Sequence, residues 1–353
     1  RWCLEERAVA DALAAPARFV SDVATLARER AVDVILPVTE AALLALLPER
    51  ARLVPACIPF ADAEAMRRIS DKALLMEAAP AAGIAVPAQH VLASPDDARA
   101  ADLEALRYPV VVKPARSVGE RDGARVKLGV EHAASAERLR ALLSGIDPAA
   151  YPLLVQQRIV GPGVGIFLLL WEGELLATFA HRRIREKPPS GGVSVYRESI
   201  PADPALVARS RALLERFAWR GVAMVEYKLD AATGTPYLME VNGRFWGSLQ
   251  LAIDAGVNFP LLLLAAAAGE RPAPVHDYRV PVRSRWEWGD VDHLIARLRR
   301  SSAELALPPG APGRWRAALD VLTPWRPGDR LEVLRLGDPA PFFRETLDWL
   351  HRR

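Results

Sequence analysis

The segment that most restricts the fold of this chain is "GVAMVEYKLDAATGTPYLMEVNGR", residues 221–244. Two strand-like runs are separated by the turn-forming string "AATGTP", and this pattern predicts a β-hairpin. Symmetric pairing about the turn predicts three cross-strand pairs: Asp230 with Pro236, Tyr227 with Met239, and Glu226 with Glu240. The hairpin therefore brings two carboxylates face to face.

Like charges directly opposite each other destabilise a sheet, so this pairing needs a compensating partner. Side chains alternate along a strand, which places Glu240 and Asn242 on one face and sends Met239 and Val241 into the opposite, core layer. Carboxylate and amide oxygens suit a hard cation such as Mg²⁺ or Mn²⁺. An isolated polar pair on a strand is often merely solvated, so the metal-site hypothesis depends on the register with Glu226.

Composition places the chain among ordinary globular proteins. Its 353 residues are 51% hydrophobic and 25% charged, which predicts two or three domains. Cys3 and Cys57 have no metal-binding spacing and fit a reducing, cytoplasmic location. A formal net charge of +3, spread along the chain, predicts no nucleic-acid partner. The apolar run at 259–270 predicts a buried helix and no membrane association, because it is too short to span a bilayer.

The N-terminal third alternates extended and helical patterns. Residues 31–47 predict a strand and then a helix from about Glu40, as in a βα unit. Residues 61–92 predict two helices that break near Ser70, and Lys72 stands at the start of the second. Because the chain opens without methionine, we expect that sequence preceding this first domain is missing.

A lysine at a strand end next to glycines is the second chemical signal. Residues 108–130 predict strand, loop and strand, with Lys113 at the end of the first strand and Gly119 and Gly123 in the loop. Backbone amides and an ammonium group arranged in this way can contact polyphosphate oxygens. The two standard nucleotide fingerprints are absent, since "GPGVG" at 161–165 lacks the GxGxxG spacing.

A basic cluster, "HRRIREK", starts at His181. Arg183, Arg185 and Lys187 share one face if the strand continues without interruption. We expect Arg183 and Lys187 to lie on the reaction side, with the loop at 188–192 gating it. The alternative is that the cluster solvates a strand edge, and His181 is expected to be structural rather than an acid or base.

Taken in order, these features resemble the ATP-grasp superfamily over residues 31–270. The strings "EVNGRFWGSLQLAIDAGVNFP" and "AHRRIREKPPSGGVS" are similar to those of predicted bacterial carboligases of that superfamily. The resemblance implies a mixed α/β and α+β chain with the ATP-grasp fold, in which two α+β subdomains clasp ATP. The expected domains are a truncated N-terminal pre-grasp α/β domain at 1–68, a first ATP-grasp part at 69–157 with a lid subdomain at about 108–157, a second subdomain with the metal site at 158–272, and a C-terminal appendage at 273–353.

The resemblance also implies site residues. The expected roles are phosphate binding by Lys72, Lys113 and Gly119, adenine binding by Gln156, Gln157, Arg158 and Ile159, and metal binding by Glu226, Glu240 and Asn242. Arg244 matches the arginine of the E-x-N-x-R run, where a guanidinium would neutralise charge on the transferred phosphoryl group. Its alternative role is a surface salt bridge. Two residues depart from the family pattern: Gln157 replaces a common acid, and Pro162 replaces a common glutamate.

The activity that the resemblance implies is an ATP- and Mg²⁺-dependent (or Mn²⁺-dependent), ADP-forming ligase. It would activate a small carboxylate as an acyl phosphate and join it to an amine. One alternative is activation of bicarbonate by the same chemistry. Another is a nucleotide-binding module without turnover, for which Gln157 and Pro162 are the sequence support. For residues 273–353, dimerisation and covering of the substrate cleft both remain open.

Overall fold

The computed structural model describes residues 3–116, 118–121, 124–127, 129–308, 310–323 and 328–352. Its strands form a four-stranded sheet, a seven-stranded sheet and a separate two-stranded hairpin. Helices precede, connect and follow these strands, which confirms the predicted mixed α/β and α+β class.

The N-terminal part is helical. Its elements are α1 (Pro16–Glu29), α2 (Glu40–Leu46), α3 (Ala63–Ser70) and α4 (Lys72–Ala78), with 3₁₀ helices at Leu47–Leu53 and Ala79–Ala82. The predicted start at Glu40 and the break after Ser70 are confirmed. The strand expected before Glu40 is wrong: its backbone makes only an isolated parallel bridge between Val34 and Cys57. A single bridge does not propagate a strand, because strand pairing gains stability from successive cross-strand pairs.

The four-stranded sheet follows, with a small apolar core of its own. Its elements and those around it are β1 (Gln89–Leu92), α5 (Pro95–Ala100), β2 (Val110–Pro114), β3 (Val118–Arg121), β4 (Ala124–Lys127), β5 (Glu131–Ala133), α6 (Ala136–Gly145) and β6 (Leu153–Gln157). The strand order is β1-β6-β2-β5, and β3 pairs with β4 as the separate hairpin. The predicted glycine loop is therefore largely this hairpin, and Gly123 lies outside the described residues. Leu139, Leu143 and Val110 belong to the core beneath the sheet.

The seven-stranded sheet is the structural centre of the molecule. It contains β7 (Gly163–Trp171), β8 (Glu174–Lys187), β9 (Val193–Ser199), β10 (Gly221–Leu229), β11 (Pro236–Asn242), β12 (Arg283–Arg285) and β13 (Asp329–Leu331). The strand order is β11-β10-β7-β8-β9-β12-β13. Helices α7 (Pro204–Arg216), α8 (Leu249–Ala255) and α9 (Phe259–Ala267) accompany it. A tight turn joins β7 to β8, with Glu172 and Gly173 both at positive φ. Phe167, Phe179 and Leu263 are fully buried in the larger core.

The C-terminal segment extends this sheet. It contributes β12 (Arg283–Arg285), α10 (Glu287–Arg299), α11 (Arg314–Leu322), β13 (Asp329–Leu331) and α12 (Ala340–His351). Strand β12 pairs antiparallel with β9, and β13 pairs parallel with β12. The sequence analysis did not predict the two strands of this segment. The segment expected as an appendage thus supplies two strands of the main sheet.

The hairpin of β10 and β11 keeps Glu226 opposite Glu240, as predicted. Beyond this pair the register shifts by one residue, because Met239 is the extra residue of a β-bulge. Two predicted pairs are therefore wrong: Tyr227 pairs with Leu238 instead of Met239, and Pro236 pairs with Leu229 instead of Asp230. Val241 is buried as expected, but Met239 is only half-buried, because the bulge removes it from the strict alternation.

Across the described ranges, no single helix has the length and apolar character needed to cross a membrane. The pair α8 and α9 meets that test only when the two are taken together, and they meet at a 90° bend. Phe259 and Leu263 of α9 are fully buried, but Leu261 and Leu264 are exposed, so the helix predicted to be buried at 259–270 is buried on one face only.

Candidate active site

A cavity of about 450 Å³ lies between the four-stranded sheet and one face of the seven-stranded sheet. A volume of this size is typical of small-molecule sites. The predicted site residues on its wall are Lys72, Lys113, Gln156, Gln157, Arg158, Ile159, Arg183, Glu226, Glu240, Asn242 and Arg244. Residues from five strands and one helix, far apart in sequence, thus converge on one space.

The opposed carboxylates of Glu226 and Glu240 lie at the centre of this wall. Burial raises the pKa of Glu226, Arg183 offsets only part of this effect, and Glu240 raises the pKa further. Burial also opposes ionisation of Glu240, but Lys72 and a hydrogen bond from Asn242 outweigh it and lower the pKa to about 2. The two pKa values move in opposite directions, because only one of two adjacent carboxylates ionises readily without a cation.

The two lysines lie beside this pair on the wall of the cavity. Lys72 is the first residue of α4, whose N-cap is Asp71, and its Nζ lies 3.7 Å from Oε2 of Glu240. Lys113 is buried in β2 and donates a 3.2 Å hydrogen bond from Nζ to the carbonyl of Met239. Burial lowers the pKa of Lys113, and the nearby Lys72 lowers it further, to about 8. Two ammonium groups beside a carboxylate pair can hold phosphate oxygens next to a metal.

Arg244 is connected to Glu240 through an amide. Its Nη2 donates to Oδ1 of Asn242 at 2.9 Å, and its Nη1 donates to the carbonyl of Phe245 at 2.8 Å. The Nδ2 atom of Asn242 in turn donates to Oε1 of Glu240 at 3.0 Å. The E-x-N-x-R run therefore folds into one hydrogen-bonded chain that ends in a guanidinium on the cavity wall.

Arg183 holds the other carboxylate. Its Nη2 donates to Oε2 of Glu226 at 2.5 Å, and its Nη1 donates at 2.9 Å to both Oε1 of Glu186 and the carbonyl of Gly192. Burial lowers the pKa of this guanidinium, but Glu226 and Glu186 outweigh it and the pKa is raised overall. Arg183 therefore stays charged and connects the acidic pair to the loop at 188–192.

The predicted common face of Arg183, Arg185 and Lys187 is wrong. The pairing of β8 with β9 shifts register between Arg183 and Arg185 and again after Arg185, which breaks the alternation. Arg185 points to the C-terminal segment, where Nε donates to Oδ1 of Asp290 at 2.6 Å. Glu186 joins Arg183 at the cavity instead, and no pattern in the sequence indicated it.

One predicted site residue, Lys187, is not among the described residues that line the cavity. The ammonium of Lys187 forms an ion pair with Asp292 and lies 5.3 Å from the ring centre of Trp286. The backbone of Gly119 lies in β3 and pairs with that of Val126. The role predicted for Gly119 in phosphate binding stays a prediction.

The predicted adenine-binding stretch forms the far wall. The backbone amide of Gln157 donates to the carbonyl of Ala88 at 2.8 Å, and that of Arg158 donates to the carbonyl of Pro109 at 3.2 Å. These bonds fix the path of the chain where β6 ends, and Gln157, at the departure from the family pattern, has an exposed side chain. His132, which the sequence did not single out, also lines this wall, and burial lowers its pKa to about 4, helped by Arg158.

His181 is fully buried beneath the other end of the cavity. Burial lowers its pKa well below the usual value, and Arg183 and Arg197 add to this effect. Its Nδ1 lies 3.3 Å from Oγ of Ser248, and its ring packs edge-on against Phe167 with centroids 4.7 Å apart. A neutral, packed imidazole agrees with the structural role that the sequence favoured.

The chain is similar to known proteins in three respects: a family profile, a curated relative and solved structures. A profile of the family described as "ATP-grasp in the biosynthetic pathway with Ter operon" matches residues 149–288. The α subunit of mitochondrial methylcrotonoyl-CoA carboxylase from Arabidopsis thaliana is 26% identical over 232 residues, which are 62% of this chain and 31% of that protein.

Among solved structures, the L-amino acid ligase of Bacillus licheniformis superposes with a TM-score of 0.54 at 22% identity, over 71% of this chain and 60% of that one. The biotin carboxylase domain of 2-oxoglutarate carboxylase from Hydrogenobacter thermophilus, solved with MgADP, ADP and bicarbonate, has a TM-score of 0.56 at 18% identity, over 74% and 59%.

The chain spans about a third of the curated relative and about three fifths of these solved chains. Identities below one quarter establish a shared fold rather than a shared reaction. The family profile covers the β6-to-β12 region that carries Glu226, Glu240 and Asn242. The chain has the ATP-grasp fold, and residues 149–288 match the profile of an ATP-grasp family.

Proposed function

We propose that the protein is an ATP-dependent, ADP-forming ligase that activates a carboxylate as an acyl phosphate and joins it to an amine. The observation that carries this proposal is the opposition of Glu226 and Glu240, with Lys72 and Lys113 beside them on the wall of one cavity. Phosphoryl transfer needs this combination, because charge develops on oxygens that cations must neutralise. The ATP-grasp fold and the match of residues 149–288 to an ATP-grasp family profile support the same chemistry.

The residues present fit a bound Mg²⁺ or Mn²⁺. The described residues contain no cluster of three or more His, Cys, Asp or Glu side chains that would bind a metal alone. Glu226, Glu240 and the amide oxygen of Asn242 instead form a small, all-oxygen set, which suits Mg²⁺ because this ion is usually bound by one or two carboxylates plus substrate phosphates. When bound, the metal would polarise the phosphate oxygens and neutralise their charge.

The side chains of this chain supply the rest of the chemistry. Lys72 and Lys113 would hold the phosphates in line for attack, and Arg244 would stabilise the transferred phosphoryl group. A carboxylate oxygen attacks the γ-phosphorus, the bond to the bridging oxygen breaks, and ADP leaves. The amine then attacks the acyl carbon, loses a proton and displaces phosphate. Closure of the loop at 188–192, which Arg183 contacts at Gly192, would exclude water from the acyl phosphate.

The first test is a calorimetric titration with a non-hydrolysable ATP analogue, with Mg²⁺ and with a chelator. We expect binding that is at least about tenfold tighter with Mg²⁺, since the opposed carboxylates need a cation. Tight binding justifies a screen of carboxylate and amine pairs for ADP release. Binding without any metal-dependence, or ADP release in no pair, favours a nucleotide-binding module without turnover.

A second candidate is activation of bicarbonate, supported by the similarity to carboxylases, one of them solved with bicarbonate. Both reactions use the same phosphoryl transfer, so the metal site does not separate them. ADP release that depends on bicarbonate and needs no organic acid would favour this candidate. ADP release that depends on an organic acid in bicarbonate-free buffer would favour the ligase.

A further inference from the structure

The central strand β7 presents glycine at two alternate positions of its cavity face, Gly163 and Gly165. Glu226 of β10 pairs with Gly165 on one side, and His181 of β8 pairs with it on the other. Gly163 follows the same pattern one step along, opposite Lys228 of β10. The string "GPGVG" does not match a nucleotide-binding fingerprint. Its glycines at 163 and 165 instead leave a groove, a trough without side chains, across one face of β7.

The side chain of Arg183 lies in this trough. A Cβ atom added at Gly163 would stand 2.7 Å from Cδ of Arg183 and 3.4 Å from its Cγ and Nε. Strand β7 separates β8 from β10 in the sheet. Arg183 therefore crosses a whole strand, directly over Gly163, before its guanidinium reaches Glu226.

Gly163 is not needed for the backbone. Its φ lies outside the left-handed region that favours glycine, so alanine fits this strand conformation. All three of the nearest atoms to the added Cβ belong to Arg183. The obstacle to a larger residue is thus the arginine, which is held in place by acceptors on Glu226, Glu186 and Gly192.

We propose that Gly163 is a positioning residue, whose missing side chain lets Arg183 lie flat across β7 and hold Glu226 and the carbonyl of Gly192 at once. This inference rests on the proposed function, because it is through Arg183 that Gly163 affects turnover. Substitution by alanine would move the guanidinium away from the carboxylate pair and release the loop at 188–192. The glycine would then matter for catalysis without touching substrate or nucleotide.

The test is a double-mutant cycle of Gly163→Ala and Arg183→Ala, measured as urea unfolding without nucleotide or metal. We expect Gly163→Ala to lower the unfolding midpoint when Arg183 is present but not in Arg183→Ala, where the added Cβ meets no arginine and alanine is favoured over glycine in a strand. Equal lowering in both backgrounds would overturn the proposal. If Arg183→Ala does not fold, because Glu226 is left buried and unpaired, Arg183→Ala with Glu226→Gln serves as the background.

ADP release is the second readout. Gly163→Ala should lower kcat by about 10- to 100-fold, as expected when the guanidinium of Arg183 is misplaced by about 1 Å. Nucleotide affinity should change little. Adding Gly163→Ala to Arg183→Ala should not lower kcat further. Gly145→Ala is the control, because an added Cβ there meets nothing within 4 Å. If the unfolding cycle shows coupling but no acid supports ADP release, the proposed function fails while the contact of Gly163 with Arg183 stands. If the effects of the two substitutions on the unfolding midpoint are additive and the enzyme still releases ADP, the inference about Gly163 fails while the proposed function stands.

Discussion

The ammonium of Lys113 donates its hydrogen bond to the carbonyl of Met239, the bulge residue next to Glu240. This contact joins residues 126 positions apart and connects the four-stranded sheet to the carboxylate hairpin. The bulge that the sequence did not predict therefore presents the acceptor that holds a predicted phosphate lysine. Lys113 is anchored at the place where it would meet the phosphates.

The first prediction concerns pH. Burial lowers the pKa of Lys113 to about 8, so the free protein loses this proton as the pH rises above 8 rather than above 10.5. Because the ammonium form binds phosphate, affinity for an ATP analogue with Mg²⁺ should be constant below pH 8 and fall by up to about tenfold per pH unit above it. Calorimetry between pH 7 and 10 measures this.

Lys113→Met should bind more weakly at pH 7 and lose the alkaline decrease. Lys187→Met should keep the decrease, because the ammonium of Lys187 pairs with Asp292 away from the cavity. An equally steep decrease in Lys113→Met would assign the titration to another group.

The second prediction tests the metal ligands. Glu240→Gln keeps the shape of the side chain but removes its charge, so ADP release should fall by about 10³-fold, because the metal contributes several kcal/mol to charge stabilisation. The Mg²⁺-dependence of analogue binding should weaken in parallel. Glu215→Gln, whose partner Arg211 is on the same surface helix, is the control. ADP release at the original rate from Glu240→Gln would contradict the metal assignment.

The third prediction concerns the cap that orients Lys72. Asp71 accepts hydrogen bonds from the backbone amides of Ala73 and Leu74, so Asp71→Ala should lower stability by about 1 kcal/mol and weaken nucleotide binding by loosening the first turn of α4. Ser135→Ala removes the cap of α6, away from the cavity. It should lower stability similarly and leave binding unchanged. If both variants bind nucleotide with equal affinity, the cap at Asp71 does not contribute to nucleotide binding.

The fourth prediction concerns the attachment of the C-terminal segment. Arg197 of β9 is 1% exposed and forms an ion pair with Glu332, just after β13. Arg197→Met leaves that carboxylate buried without its partner and should lower the free energy of unfolding by about 3–5 kcal/mol. Arg197→Met with Glu332→Gln should recover most of this loss in urea unfolding. If the single variant is as stable as the original protein, the pair does not hold the segment.

Local patterns predicted the hairpin and its polar residues, but not its register next to the turn. Glu226 lies opposite Glu240, as predicted, because the bulge at Met239 shifts the register by one residue between the turn and this pair. The helix start at Lys72 and the position of Lys113 near a strand end were predicted from short-range signals, and the structure confirms both.

The β-bulges could not be predicted from the sequence, although they determine the direction of several side chains. No feature of the composition indicated the bulge at Met239. The register shifts after Arg183 direct Glu186, rather than the expected Lys187, to the cavity. Such shifts depend on pairing with strands that are distant in sequence, so a single strand does not encode them alone. The same holds for β12 and β13, which have three residues each and show no periodicity.

Because β12 and β13 are part of the sheet, they limit where the protein can be truncated. A chain ending at residue 272 would leave the outer side of β9 with unpaired backbone donors and acceptors along residues that are now buried. Bare edges of this kind pair with other chains. A shortened protein of that length should therefore self-associate or precipitate, and the natural unit for expression and crystallisation includes the C-terminal segment.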